Sequence, residues 1–161
     1  MNQEPGLKCQ ICALALNKRE AEFVDEDTFA FLSQLPCGVS EGSYCGSCFA
    51  DRVKPELDQY NLKLDQARNV NVFYSSQSKE SRFVRRSEKP IRVEDCDDQD
   101  DVIMRLAFMA VEAKLNSLVD LDLTSVKVKN GKWQTSRWSG RAVPAQIDEK
   151  SLQRYFPSTP N

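Results

Sequence analysis

Two cysteine pairs constrain this chain more than any other feature. Cys9-Gln10-Ile11-Cys12 and Cys45-Gly46-Ser47-Cys48 are both C-x-x-C, with thirty-two residues between them. Two thiolates spaced this way on a tight turn supply half a tetrahedral shell without strain, and two such pairs complete it. Cys9, Cys12, Cys45 and Cys48 are therefore the expected Zn2+ ligands. A closed four-thiolate shell leaves no position for water or substrate, so a structural metal is expected. Two competing readings are a pair of disulfides, which needs an oxidising compartment, and a thioredoxin-type redox pair, which needs a βαβ setting that neither pair has. Cys37, in Pro36-Cys37-Gly38, is expected to be a small buried thiol, and Cys96 a free one.

Composition narrows the function classes. The chain has 161 residues, room for one ordinary domain or two small ones. A net charge of -2 gives the whole chain no electrostatic drive towards nucleic acid or membrane. No apolar run reaches the length of a spanning helix, and the first residues lack the pattern of a signal peptide. A cytoplasmic protein, not bound to membrane, is the expectation. Histidine is absent, which removes the commonest general acid/base at neutral pH and every imidazole-dependent nucleophile. No P-loop, dinucleotide fingerprint or nucleophile elbow is present, and the protein is not expected to be an enzyme.

An α+β fold is expected, with a zinc-stapled module over residues 1–66, an α+β domain over 67–149, and a short helix with a tail over 150–161. In the first module, Phe49, Val53, Leu57, Tyr60, Leu64 and Ala67 recur at helical spacing after the second cysteine pair. Pro55 either kinks that helix or starts a new one. Phe23, Val24, Phe29, Phe31, Leu32 and Leu35 are the apolar stock between the pairs, a core thin enough that metal is expected to contribute folding energy. A knuckle at the first pair and a helix rising from Tyr44-Cys45-Gly46-Ser47-Cys48-Phe49 resembles a treble-clef zinc finger.

In the second domain Val70, Val72 and Tyr74 alternate with Asn71 and Phe73, which reads as a strand. A polar loop then leads to Arg82, Arg85, Arg86, Lys89 and Arg92, and Ile91–Glu94 reads as a second strand. The run Glu94–Asp101 is rich in carboxylates. It lacks the glycine-centred calcium loop and sits where a helix begins, so capping is its expected role. Val102, Ile103, Leu106, Met109, Ala110 and Ala113 form one apolar stripe of a helix expected over Asp98–Leu115. Leu118 to Lys129 alternates with a change of parity that suggests a bulge near Thr124-Ser125. Asn130-Gly131 marks a hairpin, and Gly140 on the return strand marks a bend or a close backbone approach. Asp148 is placed to cap a last short helix carrying Leu152, Tyr155 and Phe156.

From Leu106 to Val143 the chain resembles the YbjQ-like family, which carries a heavy-metal-binding label. The matching features are Ala107, Ala110 and Ala113 on the helix, then Leu115-Asn116-Ser117-Leu118-Val119-Asp120-Leu121-Asp122, and Ser139-Gly140-Arg141-Ala142-Val143 on the closing strand. The resemblance implies a small sheet with a helix laid on it and self-association into rings.

The reading that follows is a non-enzymatic, zinc-binding interaction or assembly protein. Its partners would be further copies of itself, met through the second domain. One alternative is a nucleic-acid-associated zinc-finger protein, with Arg82, Arg85, Arg86 and Trp138 as phosphate or base contacts. That alternative is disfavoured by the acidic pI of about 5.3. The other is a small metal-handling protein that takes up and releases zinc.

Overall fold

The computed structural model of the chain describes residues 6–76, 83–87, 89–148 and 150. The chain divides into two compact units, Met1–Leu62 and Lys63–Asn161. The elements are α-helices and β-strands in both, an α+β fold.

In the first unit a two-stranded antiparallel sheet joins β1 (Glu22–Val24) to β2 (Gly42–Tyr44). The chain then turns helical at Cys45. One turn, α1 (Gly46–Cys48), runs into a π-helical stretch, Phe49–Val53, and then into α2 (Lys54–Arg68). The widened turn is explained by Pro55. Proline lacks an N–H and its ring crowds the carbonyl four residues back. The helix yields just before it, and the Lys54 N–H bonds to Phe49 five residues behind. Val53 and Tyr60 are buried while Phe49 and Leu57 are half-buried, as the helical spacing requires. The Tyr60 ring meets Phe29 edge-on at 5.3 Å, and its hydroxyl accepts from the Phe31 N–H.

The core of this unit differs from the expected apolar stock. Val24 and Phe29 are buried, but Phe23 is 48% exposed and Phe31, Leu32 and Leu35 are only half-buried. Strand alternation sends Phe23 and Val24 to opposite faces of β1. Val39 and Tyr44 complete the buried set. Cys37, expected to be buried, is exposed: it sits in a turn of Pro36 to Val39 whose backbone is closed by the Val39 N–H on the Pro36 carbonyl.

The second unit is a five-stranded mixed sheet with one helix packed on it. Its strands are β3 (Asn71–Tyr74), β4 (Phe83–Arg86), β5 (Ile91–Cys96), β6 (Ser117–Asn130) and β7 (Trp133–Ile147). The long β6–β7 hairpin is the spine. β3 pairs parallel to the start of β6, while β4 and β5 pair antiparallel to different stretches of β7. The helix α3 (Gln99–Glu112) packs against β5, β6 and β7. Asp98 caps it, accepting from the Asp101 N–H at 2.8 Å. It ends when Lys114 adopts a left-handed conformation and the Leu115 N–H reaches back to the Ala110 carbonyl.

In β3 Phe73 is buried, with Val119, Val143, Ala145 and Ile147, while Tyr74 is 44% exposed. The shift in register between Val72 and Tyr74 defeats simple alternation there. In β6 the bulge lies at Asp120-Leu121, not at Thr124-Ser125. Val119 pairs Val143 and Asp122 pairs Arg141, so two residues oppose Ala142 alone. Asp120 takes the positive φ of 53° that the extra residue requires. Thr124 and Ser125 pair regularly with Ser139 and Trp138. The hairpin closes through Gly131-Lys132, since Asn130 pairs Trp133, and Gly131 carries φ 62°. The expected last helix with Leu152, Tyr155 and Phe156 lies outside the described residues. No helix among the described residues is long and apolar enough to cross a membrane.

Candidate metal centre

Residues 7–16 form a tight knuckle. Lys8 bridges Ala15, the Leu16 N–H donates to the Leu7 carbonyl, and the Cys9 N–H donates to Leu14. Ala13 turns the corner at φ 57°, its N–H on the Cys9 carbonyl. This places Cys9 and Cys12 side by side at the turn. The second pair sits on the helix start: Cys45 is the extended residue before α1, and Cys48 lies one turn in. The partial positive charge of a helix N-terminus favours thiolate there.

One residue joins the two pairs that pattern reading passes over. Ser43, in the strand just before Cys45, is buried; its hydroxyl donates to the Lys8 carbonyl and its own carbonyl accepts from the Gln10 N–H. The second clip is thereby laced to the backbone of the first. Gly42 carries φ 136°, which other residues rarely adopt, and a Cβ there would fall 2.3 Å from Nε2 of the Gln10 side chain. Tyr44 is fully buried and its hydroxyl donates to the Ser40 carbonyl at 2.6 Å. A serine and a tyrosine immediately preceding a cysteine clip were the available signal.

The four sulfurs all lie within 4.8 Å of one another, and Cys12 and Cys45 are 3.8 Å apart. A tetrahedron with metal–sulfur bonds of about 2.3 Å has edges of about 3.8 Å. The site therefore has the dimensions of a four-thiolate metal shell. All six cysteines are free, and a 3.8 Å separation is far beyond a disulfide bond. Zinc fits the donor set: soft sulfur ligands, four in number, with no geometric demand beyond a tetrahedron. Among the described residues this is the one group of three or more Cys, Asp or Glu side chains with metal-binding geometry.

The site's electrostatics are uneven. The Cys12 N–H bonds to the Cys9 sulfur, and the Cys45 and Ile11 N–H groups assist; against burial, they hold its thiol down at about 6. Cys48 is pushed up to about 12, first by its hydrogen bond with the Cys45 sulfur and then by burial. A first thiolate is favoured by the backbone, and a fourth is opposed unless a cation lies between them.

The other expected contact residues are not one site. Arg82 lies outside the described residues. Arg85 and Arg86 pair with Gln146 and Ala145 at the end of β7, and Arg86 forms an ion pair with Asp120. Trp138 stands opposite Ser125 and Cys96, seven residues along the same strand from Ala145, or about 23 Å at about 3.3 Å per residue. The acidic run is occupied structurally. Asp95 and Asp97 hold Arg137, Asp98 caps α3, and Asp101 pairs Arg105 at 2.9 Å.

No protein-family model, curated protein or solved structure matches the chain.

Proposed function

We propose that the protein is a non-enzymatic interaction protein whose first unit is stapled by a structural zinc ion. The observation that carries this reading is the closed set of four sulfurs within 4.8 Å. Four thiolates saturate tetrahedral zinc, so neither a water nor a substrate carbonyl has a place on the metal. What the ion supplies is cohesion. The described residues of the unit bury only a short list of large side chains, Val24, Phe29, Val39, Tyr44, Val53 and Tyr60. Structural zinc in comparably small modules contributes about 10–16 kcal/mol of binding energy that is also folding energy. A reducing, cytoplasmic setting suits six free thiols. In the same reading the second unit, through its YbjQ-like resemblance, is the self-associating half.

Native mass spectrometry and chelation test the reading together. One zinc per chain and a fixed subunit number above one are expected. A strong chelator should collapse the first unit, seen as loss of helical signal. Tryptophan fluorescence should not change, because Trp133 and Trp138 both belong to the second unit. If zinc leaves and the first unit stays folded, the metal is cargo and the protein handles zinc. A monomer at all concentrations removes the assembly half.

A further inference from the structure

The outer half of the β6–β7 hairpin stands apart from the rest of the sheet. β3 pairs β6 no farther than Leu121, and β5 meets β7 no farther out than Trp138. Beyond that point the two strands continue alone over Ser125–Asn130, about 20 Å at about 3.4 Å per residue. Every residue from Thr124 to Ser136 is exposed, so none is there to fill a core. Yet the stretch is neither apolar filler nor neutral. From Leu123 to Gly140 there are four cations, Lys127, Lys129, Lys132 and Arg137, and no acid. In a chain of net charge -2, the remainder therefore carries -6. Arg137 is committed to Asp95 and Asp97. Lys127 and Lys129 share one face of the ribbon by strand alternation. At the tip, beside Lys132, Trp133 is 80% exposed. It shares a face with Val126 and Val128, both exposed, so the apolar surface there is a patch and not a single side chain.

We propose that this ribbon is an arm that binds single-stranded nucleic acid, with the lysines on phosphates and Trp133 stacked on an unpaired base. Lysine ammonium groups meet the phosphate charge without reading sequence, and an aromatic ring stacks on any base because every base has a π-face. Charge segregation selects a polyanion. The exposed ring selects one with flat, unstacked groups, which an acidic peptide lacks and a duplex keeps within its stack. Trp133 shares its face with Val126 and Val128, and Lys127 and Lys129 lie on the other, so the ligand must cross the edge of the ribbon. A flexible single strand can do so, whereas a flat anionic bilayer meets one face alone and leaves those lysines pointing away from its headgroups.

The test uses the zinc-loaded full chain and fluorescently labelled oligothymidylate and oligouridylate of about 16 nucleotides at about 20 mM salt. Binding is expected to weaken with salt at a log–log slope of about -2, three phosphate contacts at about 0.7 each. Lys127→Glu with Lys129→Glu should lower affinity at least about tenfold, and Trp133→Ala about tenfold. In a Trp138→Phe background the remaining tryptophan should be quenched by the oligonucleotide. Tighter binding of either strand type supports the arm and names its ligand. No binding at low salt overturns the proposal, and so does binding indifferent to the lysine and tryptophan variants. Equal or stronger binding of a duplex, of polyglutamate or of phosphatidylserine vesicles also overturns it.

Discussion

At Gly140 the backbone of β7 lies close against α3, and this contact offers a sharp test of the second unit's packing. A Cβ built on it falls 2.3 Å from Val102 Cγ1, 3.0 Å from Leu123 Cδ2 and 3.3 Å from Leu106 Cδ1. Carbon atoms rest at about 3.5–4.0 Å, so the nearest contact is short by more than about 1 Å. Val102 cannot swing aside, because it is fully buried and a β-branched residue in a helix has one strongly preferred rotamer. The helix itself must lift. Gly140→Ala should therefore cost about 2–3 kcal/mol, the upper part of the range for overpacking a well-filled core. Val102→Ala alone should cost about 2 kcal/mol for two buried methyls and their cavity. Together they should cost at least about 1 kcal/mol less than the sum, since the truncated side chain vacates the space the new methyl needs. Urea unfolding followed by tryptophan fluorescence reads this unit alone. A Gly140→Ala change within about 0.5 kcal/mol of the parent, or strict additivity, would refute the close approach.

Three further outcomes follow from the structure. Zinc affinity should fall with an extra proton dependence as pH drops through about 6: Cys9 is held ionised above that value and must lose a proton to the solvent below it, which competition with a chelator at pH 5 and 7 measures. Thiol labelling of the zinc-loaded protein at pH 8 should show one fast cysteine, the exposed Cys37, abolished by Cys37→Ser; burial pushes Cys96 up to about 11, so it remains a neutral, slow thiol, and labelling of Cys96 at the rate of Cys37 would be the contrary result. Asn116→Ala should cost about 1–3 kcal/mol and expose the Ile147 amide to hydrogen exchange, because the Asn116 side chain both accepts from the Ile147 N–H at 2.9 Å and donates to its carbonyl at 3.1 Å.

The four-cysteine cluster was legible in the sequence because C-x-x-C is a local device: two residues between thiols suffice to place both on one turn. The start of α3 was legible for the same reason, since Asp98 reaches only to Asp101. The β6 bulge was misplaced because alternation identifies a face only when one side is wet. Leu118 and Val119 are adjacent and both fully buried, one on each side of the sheet. The parity change farther out, at Val126 and Val128, arises in a ribbon that is exposed on both faces. Arg85 and Arg86 lie apart from Trp138 because β4 pairs with the last residues of the long β7, while Trp138 sits seven residues earlier on that strand.

What the sequence by itself determined was the four-cysteine set, the helix after the second clip, the amphipathic α3 and the position of the hairpin. Each depends on interactions spanning a few residues. Tertiary structure alone decided which strands pair, where the register slips, which aromatics are buried and how Ser43 ties the two cysteine clips together. Those outcomes turn on hydrogen bonds and contacts between residues far apart in the chain, and the energy of such pairings belongs to neither partner's local sequence.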